Sequence, residues 1–138
     1  MTPVPLAATI LEPRFQAFCF RSAVLIYALI LVIGSIPGAR QEIGAFAPGG
    51  LLHSLAYSGL TILLFLGKGV SLAGRSINAV LIATAMGAGD EFVQSFLPYR
   101  GASMLDWLVD VTASLVTAAA MCLVYPRLTR VATETSAP

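Results

Sequence analysis

Residues 51–66 have the sequence LLHSLAYSGLTILLFL, an apolar stretch without Asp, Glu, Lys or Arg. Further apolar stretches lie at 22–36, 77–89 and about 104–124, the last of which contains Asp106 and Asp110. A helix needs about 20 residues to cross the hydrocarbon core of a bilayer, so the shorter cores must be lengthened by polar neighbours. The sequence therefore predicts four membrane spans at about 16–36, 50–67, 76–93 and 104–125.

Composition supports a membrane protein. The chain has 138 residues, of which 57% are hydrophobic and 11% are charged, and its mean hydropathy is +0.85. A soluble domain carries about 25% charged residues. With 8 Lys and Arg against 7 Asp and Glu, the chain has no basic surface for nucleic acid. Its two distant cysteines exclude zinc-finger and disulfide-scaffold classes.

Connections rich in Gly and Pro separate the predicted spans. Because short connections make consecutive helices antiparallel neighbours, we expect an all-α integral membrane protein. It forms one compact antiparallel four-helix transmembrane bundle over residues 1–128, followed by a flexible tail at 129–138. The first span also fits a secretory signal peptide, but the three spans after it favour a retained helix. Small residues predict close contact between the third and fourth spans: Gly87, Gly89, Ala113, Ser114, Thr117 and Ala118.

The distribution of cations predicts the orientation of the chain. Lys and Arg are enriched in cytoplasmic connections of membrane proteins. With the N-terminus inside, Arg40 and Arg100 lie outside, and six cations are cytoplasmic: Arg14, Arg21, Lys68, Arg75, Arg127 and Arg130. Both termini are therefore expected in the cytoplasm. Cys19 and Cys122 then lie in reducing surroundings, where we interpret them as small apolar packing residues.

On this topology the ionisable residues converge at the outer ends of the second, third and fourth spans. His53 and Tyr57, Asp90 and Gln94, and Asp106 and Asp110 are each four residues apart, so each pair shares one helix face. Four carboxylates inside or beside the membrane must be paired, hydrated, protonated or bound to a metal ion. Alternatively, these residues begin and end helices at the water boundary, with Trp107 and Tyr99 as interfacial anchors.

These residues form the pattern Glu91-x2-Gln94-x3-Pro98-x-Arg100-x2-Ser103-x2-Asp106, preceded by LHSLAY at 52–57. This pattern resembles that of the VanZ-like family of small bacterial membrane proteins. Gly49 and Gly50 stand where many members have Asp-Lys, Asp110 where they have Asn, and Ala113 where they have Gly. The resemblance implies a four-helix, multi-pass protein of the bacterial plasma (inner) membrane, in a family named for resistance to the glycopeptide teicoplanin.

Three functions are compatible with the sequence. The first is a site that recognises or processes the headgroup of a lipid or a lipid-linked cell-wall precursor. Glu91 or Asp90 would act there as general base with His53, and Asp106 would orient His53 or Arg100. Substrate contacts are assigned to Arg100, Gln94, Ser103, Asp110 and Tyr57.

His53 and the carboxylates also allow a divalent metal, although no metal motif specifies one. The second function is a non-catalytic membrane scaffold or partner-binding protein. The third is a proton- or ion-coupled transporter. The sequence leaves enzymatic activity and oligomeric state open.

Overall fold

The computed structural model describes residues 6–39, 42, 48–67, 69 and 71–135. Within these ranges every regular element is a helix: α1 (Leu6–Leu11), α2 (Pro13–Gly34), α3 (Gly49–Gly67), α4 (Leu72–Gln94) and α5 (Met104–Thr135). The all-α prediction is confirmed. The predicted cytoplasmic Lys68 and the predicted outer Arg40 lie outside the described residues, as does the side chain of Arg130.

Local sequence explains several helix ends. Pro13 occupies the first turn of α2, where its missing N–H leaves no bond unmade. Ser71 precedes α4, and its hydroxyl accepts a hydrogen bond from the backbone N–H of Gly74 at 3.1 Å. Ser103 caps α5 in the same way, accepting from the N–H of Asp106 at 3.2 Å. The start of α2 is therefore favoured by a proline in its first turn, and the starts of α4 and α5 are stabilised by serine caps.

Three helical segments are long and apolar enough to cross a membrane: Pro13–Gly34, Gly49–Gly67 and Met104–Thr129. Large apolar side chains on all three remain exposed, among them Leu25, Leu55 and Leu123. Such exposure is expected where lipid, not water, surrounds the helix. In α4 (Leu72–Gln94) the buried face has Ala79, Ala83 and Gly87 in its middle and polar residues toward its ends, which are Arg75, Asp90, Glu91 and Gln94. A fourth crossing by α4 stays a prediction.

The contacts between helices define their directions. Gly67 at the end of α3 lies against the backbone of Phe20, near the start of α2. Arg75 near the start of α4 also contacts the end of α3, by donating to the Phe65 carbonyl at 3.1 Å. Both helices are therefore antiparallel to α3. Thr117 of α5 donates to Ser58 of α3 at 3.0 Å, near the middle of both helices.

Small residues allow close packing, in part as predicted. Gly87 of α4 faces α5, where an added Cβ would lie 3.1 Å from Asp110 Oδ2 and 3.2 Å from Trp107 Cδ1. Gly89 faces α2 instead, because an added Cβ there would lie 2.5 Å from the hydroxyl oxygen of Tyr27. The predicted contact between the third and fourth spans thus holds at Gly87, whereas Gly89 packs against the first.

The ends of the chain differ from the predicted boundaries. α5 continues to Thr135 through most of the predicted flexible tail at 129–138, and residues 136–138 lie outside the described ranges. Helix α1, which the sequence did not predict, packs against α5, and Ile10 joins the buried cluster that contains Tyr125. This packing gives the end of α5 an apolar partner.

Arg75 also departs from its predicted position in a cytoplasmic connection. It lies inside α4 and its side chain is 4% exposed. The guanidinium donates to the carbonyls of Phe65 and Leu66 at 3.1 and 3.2 Å and lies 5.1 Å from the ring centroid of Tyr125. Arg75 thereby satisfies two carbonyls at the end of α3 that have no partner within their own helix.

Candidate functional site

His53 connects two of the helices that form the site. Its Nδ1 lies 2.9 Å from Asp110 Oδ1, and its Nε2 lies 4.0 Å from Asp106 Oδ2. Asp106 and Asp110 are one turn apart on α5, as their spacing predicts. An ionised Asp110 can only accept a hydrogen bond, so beside an ionised Asp110 the proton lies on Nδ1, and Nε2 is the nitrogen toward Asp106.

The hydrogen bond of His53 separates the roles of the two aspartates. Asp110 is completely buried, whereas Asp106 is partly exposed. Gly87 leaves room for Asp110, because its missing side chain would otherwise contact Oδ2. Asp110 therefore lies against His53, where it can orient the imidazole; the direct substrate contact that the sequence suggested for it stays a prediction.

Glu91 joins α4 to the start of α5. Its side chain is 8% exposed, and its Oε2 accepts a hydrogen bond from the backbone N–H of Ser103. Among the described residues, its Oε1 has no hydrogen-bond partner. Ser103 uses its N–H for Glu91 and its hydroxyl to cap α5, so both polar groups predicted to contact substrate hold the site together instead.

The residues between α4 and α5 carry Arg100. Its Nε donates to Gln94 Oε1 at 3.3 Å, in place of the ion pair with a carboxylate that could have closed this connection. Tyr99, predicted as an interfacial anchor, donates its hydroxyl to the carbonyl of Ser35 after α2. Trp107, also predicted as an anchor, is half-buried and donates to the carbonyl of Thr84 at 3.2 Å. Both aromatic residues therefore fix helices to each other.

A cavity of about 260 Å³ lies beside this cluster, between α2, α3 and α4. Five of the predicted site residues line it: His53, Tyr57, Asp90, Gln94 and Arg100. Asp90 and Gln94 of α4 with Arg100 form a polar wall, and Ile30 and Ile33 of α2 form an apolar wall. Helix α3 contributes both kinds of residue, since Leu52 and Ala56 line the cavity beside His53 and Tyr57. The contribution of α2 could not be found from sequence, because Ile30 and Ile33 look like any other apolar residues of a span.

Tyr57 lies between the cavity and the core. Its ring stacks on that of His53, with centroids 6.3 Å apart and planes inclined by 1°. The residue is buried, and its hydroxyl has no hydrogen-bond partner among the described residues. A buried hydroxyl without a partner costs free energy, so this group is available to a ligand in the cavity.

No protein-family model, curated protein or solved structure matches this chain. Functional inference therefore rests on the geometry of the site.

Among the described residues, the site contains more acidic than basic side chains. Asp90, Glu91, Asp106 and Asp110 are grouped with His53 and Arg100, and Asp90, Glu91 and Asp110 are buried. Arg100 is placed to bind an anionic oxygen through its planar guanidinium. His53, Glu91 and Asp106, whose ligand atoms lie within 4.8 Å of one another, offer groups for proton transfer or metal binding.

Proposed function

We propose that this chain is a VanZ-like membrane protein of the bacterial envelope that binds the phosphate-bearing headgroup of a lipid or a lipid-linked cell-wall precursor. The observation that carries the proposal is the cavity of about 260 Å³ with one polar and one apolar wall. An amphiphile needs such a division, because its headgroup requires hydrogen bonds and charge while the adjoining chain requires apolar contact.

The position of the cavity favours entry from the lipid. Ile33 lines the cavity and is 44% exposed on the surface of α2. α2 is also one of the helices apolar enough to span the bilayer. A lipid could therefore place its headgroup against Arg100 while its chain leaves past Ile33, without crossing water.

The polar wall supplies complementary contacts for a phosphate. Arg100 offers charged donors, and its hydrogen bond to Gln94 orients them toward the cavity that both residues line. The Tyr57 hydroxyl is a further donor without a protein partner among the described residues. If a reaction follows binding, Glu91 or Asp90 with His53 supplies the base, as the sequence suggested.

Lipid binding to the purified chain in nanodiscs tests the proposal. The probes are dioctanoyl phosphatidic acid, which carries a phosphate, and dioctanoylglycerol, which has the same chains without it. We expect Arg100→Gln to weaken phosphatidic acid binding by about tenfold or more and to leave dioctanoylglycerol binding unchanged. Arg14→Gln is the matched control, since Arg14 is exposed on α2. Equal phosphatidic acid affinity in wild type and Arg100→Gln would contradict the proposal.

Teicoplanin susceptibility of a bacterial host tests the envelope role. Wild type is compared with Glu91→Gln and Asp106→Asn at matched membrane levels. We expect wild type to protect and both variants to lose protection while remaining folded. No protection by wild type would remove the link to glycopeptide resistance, whereas equal protection by the variants would assign the carboxylates a structural role.

A non-catalytic scaffold is the second candidate. It is favoured by the hydrogen bonds that join elements at the site, one between His53 of α3 and Asp110 of α5 and one from the backbone N–H of Ser103 to the carboxylate of Glu91 in α4. In a scaffold, Asp106→Asn would lower the free energy of unfolding in parallel with protection. In a headgroup site, protection falls while the folded state keeps its stability.

A further inference from the structure

We propose that His53, Glu91 and Asp106 bind a divalent transition-metal ion, with Zn²⁺ as the representative ion. One ligand atom from each of the three residues lies within 4.8 Å of the other two. Two ligands on a tetrahedral zinc are about 3.4 Å apart, given metal–ligand distances near 2.1 Å. The three side chains therefore need a contraction of roughly 1 Å, which rotation of partly exposed His53 and Asp106 can supply.

The orientation of His53 is the first independent support. A histidine that binds a metal through one ring nitrogen usually donates its other N–H to a carboxylate or carbonyl. The 2.9 Å hydrogen bond from Nδ1 to buried Asp110 has this arrangement. It leaves Nε2 as the nitrogen that faces Asp106, with its lone pair available to an ion.

Glu91 gives the second support. The side chain is more than nine-tenths buried, and Oε1 has no hydrogen-bond partner among the described residues. Its other oxygen is held by the N–H of Ser103. A buried carboxylate oxygen without a donor is costly, and a cation would satisfy it. This oxygen belongs to a residue that already lies in the three-residue cluster.

Charge also favours a dication. Asp110 and Asp90 add two carboxylates beside the cluster, while Arg100 lies across the cavity, hydrogen-bonded to Gln94. A 2+ ion would compensate Glu91 directly, whose buried Oε1 has no hydrogen-bond partner among the described residues. One imidazole with two carboxylates suits zinc and similar transition metals better than Mg²⁺, which is usually held by carboxylates, phosphates and water.

The use of the ion rests on the proposed headgroup site, which it would adjoin through His53, the residue shared by the cluster and the lining of the cavity. Binding of Zn²⁺ itself needs no lipid. The experiment therefore measures zinc alone, so that failure of the metal site and failure of the headgroup site are separate results.

The test is zinc titration of the purified full chain, first stripped with a chelator, in detergent without added lipid. We expect one Zn²⁺ per chain. Glu91→Gln and Asp106→Asn should each weaken binding by more than about tenfold, and Asp110→Ala, which removes the acceptor for His53 Nδ1, by about 10- to 100-fold. Glu12→Gln is the matched control, because Glu12 is exposed and distant from the site in sequence. Zinc binding that is unchanged in Glu91→Gln and Asp106→Asn would overturn the proposal.

Co²⁺ provides a measurement that does not depend on the variants. Bound at the proposed site of the wild-type chain, it should give the visible absorption of a low-coordinate ion with nitrogen and oxygen ligands, and Zn²⁺ should displace it. An octahedral aqueous Co²⁺ spectrum would contradict the site. So would Mg²⁺ that displaces Co²⁺ as effectively as Zn²⁺ does.

Discussion

At the scale of one residue, removal of the Tyr57 hydroxyl should affect the stability of the fold and the binding of a ligand in opposite directions. It is buried in the wall of the cavity without a hydrogen-bond partner among the described residues. Tyr57→Phe keeps the ring stacked on His53 and removes a hydroxyl whose burial is unfavourable. We expect the free energy of unfolding to stay equal or rise by up to about 1 kcal/mol, while phosphatidic acid binding weakens. Detergent unfolding and nanodisc binding measure the two effects, and a loss of stability would mean that the hydroxyl has a partner in the folded protein.

Arg75 has a structural role, although its charge and its position in the sequence predict a cytoplasmic connection. Arg75→Met keeps the apolar stem but removes the donors to the carbonyls of Phe65 and Leu66. Hydrogen bonds from charged donors contribute about 1.5–3 kcal/mol, so we expect the unfolding free energy to fall by about 2 kcal/mol. Titration with SDS in mixed micelles measures it. Arg21→Met, at an exposed position of α2, should change stability by less than about 0.5 kcal/mol; an equal loss would show a general effect of charge.

The same residues indicate what a sequence can predict about single side chains. Spacing places His53 with Tyr57 and Asp106 with Asp110 on shared helix faces, and the structure has them so. It does not give the axial register between α3 and α5, which are not consecutive helices. That register makes Asp110, and not Asp106, the close partner of His53. Arg75 could not be placed either, because a cation near the end of a span usually lies in water.

Between elements, Gly67 allows the backbone of α3 to lie close to that of α2. A Cβ at Gly67 would lie 2.7 Å from the backbone nitrogen of Phe20, a contact that no side-chain rotation relieves. We expect Gly67→Ala to lower the unfolding free energy by about 1–3 kcal/mol. Gly59→Ala, in the same helix with nothing within 4 Å of the new Cβ, should be neutral or stabilising by up to about 1 kcal/mol. SDS titration compares the two variants, and similar values for both would mean that α2 and α3 do not pack this closely.

The helices themselves were largely predictable, because long apolar stretches and Gly-Pro connections mark them in the sequence. Their ends were less so. α5 extends to Thr135, and α1 packs against α5 in a contact that joins the first and last described helices. No local sequence pattern predicts this contact between α1 and α5. The cavity depends likewise on Ile30 and Ile33 of α2 facing α3, which hydropathy cannot distinguish from a lipid-facing position.

For the whole molecule, the course of α4 determines the number of membrane crossings. Arg75 near its start contacts the last residues of α3, and Asp90 and Gln94 near its end line the cavity with Leu52 and His53 from the start of α3. α4 thus runs back along the length of α3. If α3 spans the bilayer, a helix lying antiparallel to its full length also spans it, and its polar residues are accommodated because they face other helices.

Cysteine labelling in intact spheroplasts tests this topology. In a Cys19→Ala, Cys122→Ala background, single cysteines replace the exposed residues Glu12, Gly101 and Arg127 one at a time. Each variant is then treated with a membrane-impermeant maleimide. Four crossings with cytoplasmic termini require that Gly101→Cys is labelled from outside, whereas Glu12→Cys and Arg127→Cys react after permeabilisation. If α4 does not cross, the chain has three crossings, and Glu12→Cys and Arg127→Cys must differ in accessibility. The reverse pattern, with both ends labelled and Gly101→Cys protected, would keep the bundle but invert it, contrary to the charge distribution.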